Sequence, residues 1–161
     1  RGIKFTTPLF KMGGNGFVKQ KLEEFFSSCG TSCNDVNSPA YIDIIAVNAF
    51  CGPWNINDRS NPAQGCRNGA IFTVNEINLF EDSRNRPVYI TNWSRLQTSE
   101  AFDQLAAIEG ADGFFMSGSK VERVYWFGAK DFGGGSSNNF LTNSVHGKTL
   151  GQHWKEKCDT L

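Results

Sequence analysis

The sequence predicts an α/β chain of four βα units. Three observations predict it. Segments rich in β-branched and aromatic residues recur at residues 42–50, 88–91 and 121–127. Between them lie segments whose apolar residues return every three to four positions, the period of a helix with one buried face. Residues 42–50, Ile-Asp-Ile-Ile-Ala-Val-Asn-Ala-Phe, are apolar almost throughout, as an interior parallel strand covered on both faces must be.

In chain order, residues 3–10 read as the first extended segment, and Gly13-Gly-Asn-Gly16 as a loop in which Asn15 can cap the next helix. Phe17, Val18, Leu22, Phe25, Phe26 and Cys29 then mark one face of a helix over 17–29, with Lys19, Lys21, Glu23 and Glu24 largely between them. After a loop to Pro39 comes the strand at 42–50. A long loop over 51–68, with Pro53, Trp54, Asp58 and Pro62, leads to a helix traced by Ala70, Ile71, Val74, Ile77 and Phe80. Asn85-Arg86-Pro87 ends that helix, because the residue before a proline is pushed out of helical geometry.

The third strand is 88–91. Thr98 and Ser99 can cap a helix carrying Ala101, Phe102, Leu105 and Ile108, with Glu100 favourably placed in its first turn. Residues 110–119 fit either a second short helix or a loop. The fourth strand is 121–127, Gly133-Gly-Gly135 is a flexible loop, and 150–157 form a closing helix with Leu150 and Trp154 on one face. The 161 residues fit a single domain, 1–161, with no visible internal repeat. Four such units admit two architectures, a small open sheet flanked by helices or half of a closed eight-stranded barrel.

Composition narrows the function. Sixteen basic and sixteen acidic residues cancel, so no broad attraction to nucleic acid or to an anionic membrane is expected. No apolar run approaches the ~20 residues of a membrane span. The chain opens at Arg1 without an initiator Met or leader, which reads as a processed or truncated product. Five cysteines fit an exported, oxidised protein, with Cys29/Cys33 and Cys51/Cys66 each able to close a short loop and Cys158 left over. His146 and His153 lie outside any paired-ligand spacing, so no metal is expected. Gly133 to Gly135 lack the context of a phosphate loop, and no cofactor is expected either. No nucleophilic Ser or Cys triad is visible.

Three stretches together resemble the C-terminal half of the small (β/α)8-barrel glycoside hydrolases acting on β-1,3-glucan, the alkali-sensitive-linkage-like family. They are Tyr41-Ile-Asp-Ile-Ile-Ala-Val-Asn-Ala-Phe50, Arg86-Pro-Val-Tyr-Ile-Thr-Asn-Trp93, and Val121-Glu-Arg-Val-Tyr-Trp-Phe-Gly128 together with Leu150-Gly151. They are similar to the sixth, seventh and eighth strands. The resemblance implies a half-barrel whose ligand sits at the carboxyl ends of the strands. It also places Asn92 where the family has its nucleophilic glutamate, and an amide can neither form a glycosyl ester nor carry the required charge. The family's acid/base glutamate belongs to a half not contained here, and Asn48 and Phe50 replace an expected histidine and tyrosine.

The expected ligand is a neutral polysaccharide or oligosaccharide, and the expected location is extracellular or cell wall. Trp54, Trp93 and Trp126 can stack on sugar rings, or Trp93 and Trp126 can be core. Asn48 and Asn92 can bond hydroxyls, or cap their own turns. Asn92-Trp93-Ser94 is also an N-glycosylation sequon, a role incompatible with a buried pocket. Asp58 and Asp131, in loops on one rim, are weak candidates for an inverting pair. The favoured reading is a hydrolytically silent, glucan-binding derivative. The alternatives are a fragment of an active glucanase completed by a separate N-terminal half, or an extracellular structural protein. Unpaired edges at 3–10 and 121–127, and an inner face of Val47, Ile90 and Trp126 left wet, predict a homodimer or a companion half.

Overall fold

The computed structural model describes residues 2–11, 17–51, 61–81, 86–94, 101–116, 118–126 and 143–161. It is a mixed helix and parallel-sheet fold. Strands β1 (Phe10–Lys11), β2 (Ile45–Asn48), β3 (Val88–Trp93) and β4 (Val121–Trp126) pair in parallel in the order β1-β2-β3-β4. Helices α1 (Phe17–Cys29), α2 (Pro62–Glu81) and α3 (Ala101–Glu109) come after the first three strands. A hairpin of β5 (Ser144–Val145) and β6 (Lys148–Thr149) precedes the last helix, α4 (Leu150–Cys158). The expected caps Asn15, Thr98 and Ser99 and the expected glycine loop at 133–135 lie outside the described residues.

Several elements differ from the sequence expectation. The extended segment at 3–10 pairs regularly only at Phe10–Lys11, with an isolated bridge from Thr6 to Ile44. Thr7 explains the gap. Its hydroxyl donates to the Ala46 carbonyl at 3.1 Å and accepts from the Ala46 amide at 2.9 Å, so a side chain takes both ladder positions. Helix α2 starts at Pro62, inside the expected loop, because Asn61 Oδ1 accepts from the Gln64 amide at 3.1 Å and proline suits a first helical position. Residues 110–119 resolve into a 3₁₀ segment, Gly110–Phe115, continuing α3.

The β5–β6 hairpin has no counterpart in the sequence expectation. Its turn is His146-Gly147, with φ of 52° and 78°, the left-handed pair that a two-residue hairpin turn requires. Thr149 then caps α4, accepting from the Gln152 amide while the Gln152 side chain accepts from the Thr149 amide.

The core lies between the sheet and its helices. Ile45, Val47, Ala49, Val88, Ile90 and Trp93 alternate along β2 and β3 and just beyond, and pack with Val18, Leu22 and Phe26 of α1 and Ala70, Val74 and Ile77 of α2. This corrects one expectation. Val47 and Ile90 are fully buried against helices instead of lining a wet inner face, and Trp126 packs on Trp154 of α4 with ring centroids 5.5 Å apart. The alternation of the strands therefore turns a different set outward: Tyr89 and Thr91 on β3, Arg123 and Tyr125 on β4.

The 3₁₀ segment lies backbone-to-backbone on α2. A Cβ at Gly113 would fall 2.6 Å from the Arg67 carbonyl oxygen, and one at Gly110 2.6 Å from the Arg67 amide nitrogen. Only glycine permits that approach. Beside it Asp112 lies within 3.5 Å of Arg67 and 3.4 Å of Lys157, linking α2, the 3₁₀ segment and α4.

At the amino-terminal end of the sheet, the buried Arg86 sits two residues before β3. Its Nε donates to the Ile42 carbonyl at 2.8 Å, and one terminal nitrogen donates to the Cys33 carbonyl at 3.2 Å and to Asn34 Oδ1 at 3.0 Å. Its guanidinium also stacks on Phe26 at 4.6 Å and Tyr41 at 5.2 Å. A disulfide joins Cys29 to Cys33 beneath it, and a second joins Cys51, just past β2, to Cys66 of α2. Both are the pairs expected from the short loops they close.

Candidate functional site

Open parallel sheets and barrels both place ligands beyond the carboxyl ends of their strands, because loops there can vary without disturbing the core. In this chain that end carries a cluster of amides. Asn48 ends β2, and Thr91 and Asn92 lie near the end of β3. Thr91 Oγ1 donates to Asn48 Oδ1 at 2.6 Å, and Asn92 Nδ2 donates to the same oxygen at 2.7 Å.

Consecutive residues of a regular strand point to opposite faces, so Thr91 and Asn92 could not both reach one atom. They do so because the pairing of β3 slips between Ile90 and Trp93 against β4, and shifts between Val47 and Asn48 of β2. The irregularity builds the cluster. Two donors converging on Asn48 Oδ1 fix that amide's orientation and leave its Nδ2 pointing elsewhere. Among the described residues, Asn48 Nδ2 and Asn92 Oδ1 have no hydrogen-bond partner, so the half-buried pair presents a donor and an acceptor together.

The other expected site residues fall into three groups. Phe50 is half-buried two residues past Asn48. Trp93 is 0% exposed, donates its indole N–H to the Ala107 carbonyl at 2.8 Å and meets Phe114 edge-on at 4.8 Å. It is therefore core and offers no face to a sugar, a correction that stems from the same slip of β3 that frees Asn92. Trp126 is half-buried against Trp154 on the helical side of the sheet, away from the face that carries Tyr125. Trp54, Asp58 and Asp131 lie outside the described residues.

Asn92 Nδ2, the atom a glycan would occupy, is held by Asn48, and the hydroxyl of Ser94 in the same sequon is buried with no hydrogen-bond partner among the described residues. That geometry suits a site residue better than a glycan carrier.

Sequence reasoning missed the outward face below the amides. Tyr89 and Tyr125 lie 6.3 Å apart, and the Arg123 guanidinium rests 5.4 Å from the Tyr89 ring. The neighbouring Tyr125 hydroxyl, and after it Tyr89, hold the guanidinium's pKa above the usual arginine range. The available signal is a period of two, Tyr89-x-Thr91 beside Arg123-x-Tyr125. Among the described residues no group of His, Cys, Asp and Glu is arranged to hold a metal ion, and no helix is long and apolar enough to cross a membrane.

No protein-family model matches this sequence, and no curated protein matches it. Among solved structures it is similar to a GH128 (subgroup II) endo-β-1,3-glucanase from Sorangium cellulosum, with a TM-score of 0.59 and 16% sequence identity. The match covers 96% of this chain and 55% of the glucanase, so the chain spans about half the length of that structure. At this identity the shared property is the fold, and the chain has a glucanase-like α/β fold.

Proposed function

We propose that this chain is a secreted, glycoside-hydrolase-like protein that binds a polysaccharide at the carboxyl end of its parallel sheet and does not hydrolyse it. The observation that carries the proposal is the half-buried Asn48–Asn92 pair, in which Asn48 Nδ2 and Asn92 Oδ1 have no partner among the described residues. A vicinal diol, with one hydroxyl accepting and its neighbour donating, matches that arrangement. β-1,3-Glucan is the first ligand to test, from the sequence resemblance and from the named activity of the structural neighbour.

Hydrolysis is absent from the proposal for a chemical reason. In the resemblance Asn92 takes the nucleophile's place, and its amide is neither nucleophilic nor charged. Two disulfides support an oxidising, extracellular setting. In this reading 1–161 is one domain equivalent to half a barrel. Strands β1 and β4, at the edges of the sheet, are then where a second copy or a companion half would add.

Incubation with β-1,3-gluco-oligosaccharides should release no reducing ends, while calorimetry should detect binding. Asn48→Ala should weaken that binding by about 1–3 kcal/mol, the usual range for removing one partner of a buried hydrogen bond. Turnover by the purified chain would overturn the silent reading and favour an active glucanase. Failure to bind any glycan would favour a structural role.

A further inference from the structure

The outward face of β3 and β4 holds a charge that the amide cluster does not use. Arg123 is exposed on β4, at the edge of the sheet, and among the described residues no carboxylate lies within ion-pair distance of it. Its guanidinium is not loose. It rests on the Tyr89 ring at 5.4 Å, a face-on contact that restricts its orientation while leaving its N–H groups available at the edge. Tyr125 is 43% exposed and shows part of its ring to solvent.

Register places this group beside the amides. Arg123 is paired with Tyr89, and Thr91, two residues further along the same strand and on the same face, hydrogen-bonds Asn48. At about 3.3 Å of rise per residue, roughly one sugar ring's length separates the Arg123 level from the Asn48–Asn92 level. A planar guanidinium presents parallel N–H groups that match the two oxygens of a carboxylate, and an exposed tyrosine face suits the C–H side of a pyranose.

We infer that this face selects an acidic polysaccharide: a uronate whose carboxylate pairs with Arg123 and whose ring lies on Tyr125, while a neighbouring sugar meets the amides. The inference rests on the glycan-binding reading above and narrows its ligand.

The test compares short oligouronates with neutral β-1,3-gluco-oligosaccharides of equal length, by calorimetry at low and at raised salt. The wild type should bind the oligouronate about tenfold or more tightly, with the advantage shrinking as salt screens it. Arg123→Gln should erase the advantage and leave neutral binding unchanged, with circular dichroism confirming the fold. Arg123→Lys, which keeps the charge without the fork, should retain only part of the advantage and serves if the glutamine variant does not fold. Equal wild-type affinities, or an advantage that survives Arg123→Gln, would overturn the inference while leaving glycan binding intact. A sulfated oligosaccharide binding as tightly as the uronate would overturn the carboxylate assignment. Binding of neither class would overturn this inference and the proposed function together. Self-association lost in Arg123→Gln would also overturn it, by giving the face to a second copy of the chain.

Discussion

At the amino-terminal end of the sheet, Arg86 is 3% exposed and its N–H groups end on the carbonyls of Ile42 and Cys33 and on Asn34. At the carboxyl end, Asn48 and Asn92 satisfy each other only halfway, with Asn48 Nδ2 and Asn92 Oδ1 unpartnered among the described residues. Each end has a disulfide, yet one is closed by a buried cation and aromatic rings and the other by amides that remain available. The first arrangement stabilises the fold. The second leaves polar groups for the proposed ligand. Parallel sheets place function at the carboxyl end, and here the difference is visible in which polar groups are used up.

The two ends should respond differently to substitution. Arg86→Ala should cost the most, about 3–4 kcal/mol in urea unfolding, because it strands buried carbonyls and removes two stacking contacts. A loss below about 1 kcal/mol would mean the amino-terminal end is not held by Arg86.

The disulfides come next. They close loops of 15 and 4 residues, so replacing both cysteines by alanine should cost about 3 kcal/mol for Cys51–Cys66 and about 2 kcal/mol for Cys29–Cys33 on chain-entropy grounds. The order is the informative part. A larger loss at Cys29–Cys33 would show that the amino-terminal end depends on its disulfide through packing with Phe26 and Arg86 rather than through loop closure.

Gly113→Ala probes the helical layer between the two ends. Its Cβ would meet backbone 2.6 Å away, which cannot rotate aside, so a loss of about 2 kcal/mol is expected. Unchanged stability would show that α2 and the 3₁₀ segment can separate freely. The smallest effect belongs to the candidate site. Asn48→Ala should lower stability by about 1 kcal/mol or less while abolishing most glycan affinity, and a loss as large as that of Arg86→Ala would make Asn48 a structural residue.

The layout is legible in the sequence wherever apolar periodicity is strong. Val18, Leu22 and Phe26 announce α1, and Ile45, Ala46 and Val47 announce a strand buried on both faces. Thr7, Asn61 and His146 are harder to read, since each acts through one hydrogen bond or one unusual φ. Asn48 and Asn92 stand out as site candidates by comparison of motifs, but their contact depends on two register slips that no period encodes. The same slips turn Trp93 inward, which is why an aromatic residue next to the site is core. Tyr89, Arg123 and Tyr125 escape notice because their alternation is ordinary strand pattern.

The Trp126–Trp154 contact makes the chain its own optical gauge. Two indoles 5.5 Å apart and inclined by 51° have transition dipoles close enough to couple, and their skew makes the coupling chiral. Such a pair gives adjacent circular-dichroism bands of opposite sign. The intensity of that couplet falls off steeply if either ring moves, so it measures how firmly the last helix is seated on the fourth strand. Trp93, its indole tied to Ala107 inside the core, reports on a different place. Loosening of the chain's C-terminal helix can therefore be watched separately from melting of the core, without attaching any label.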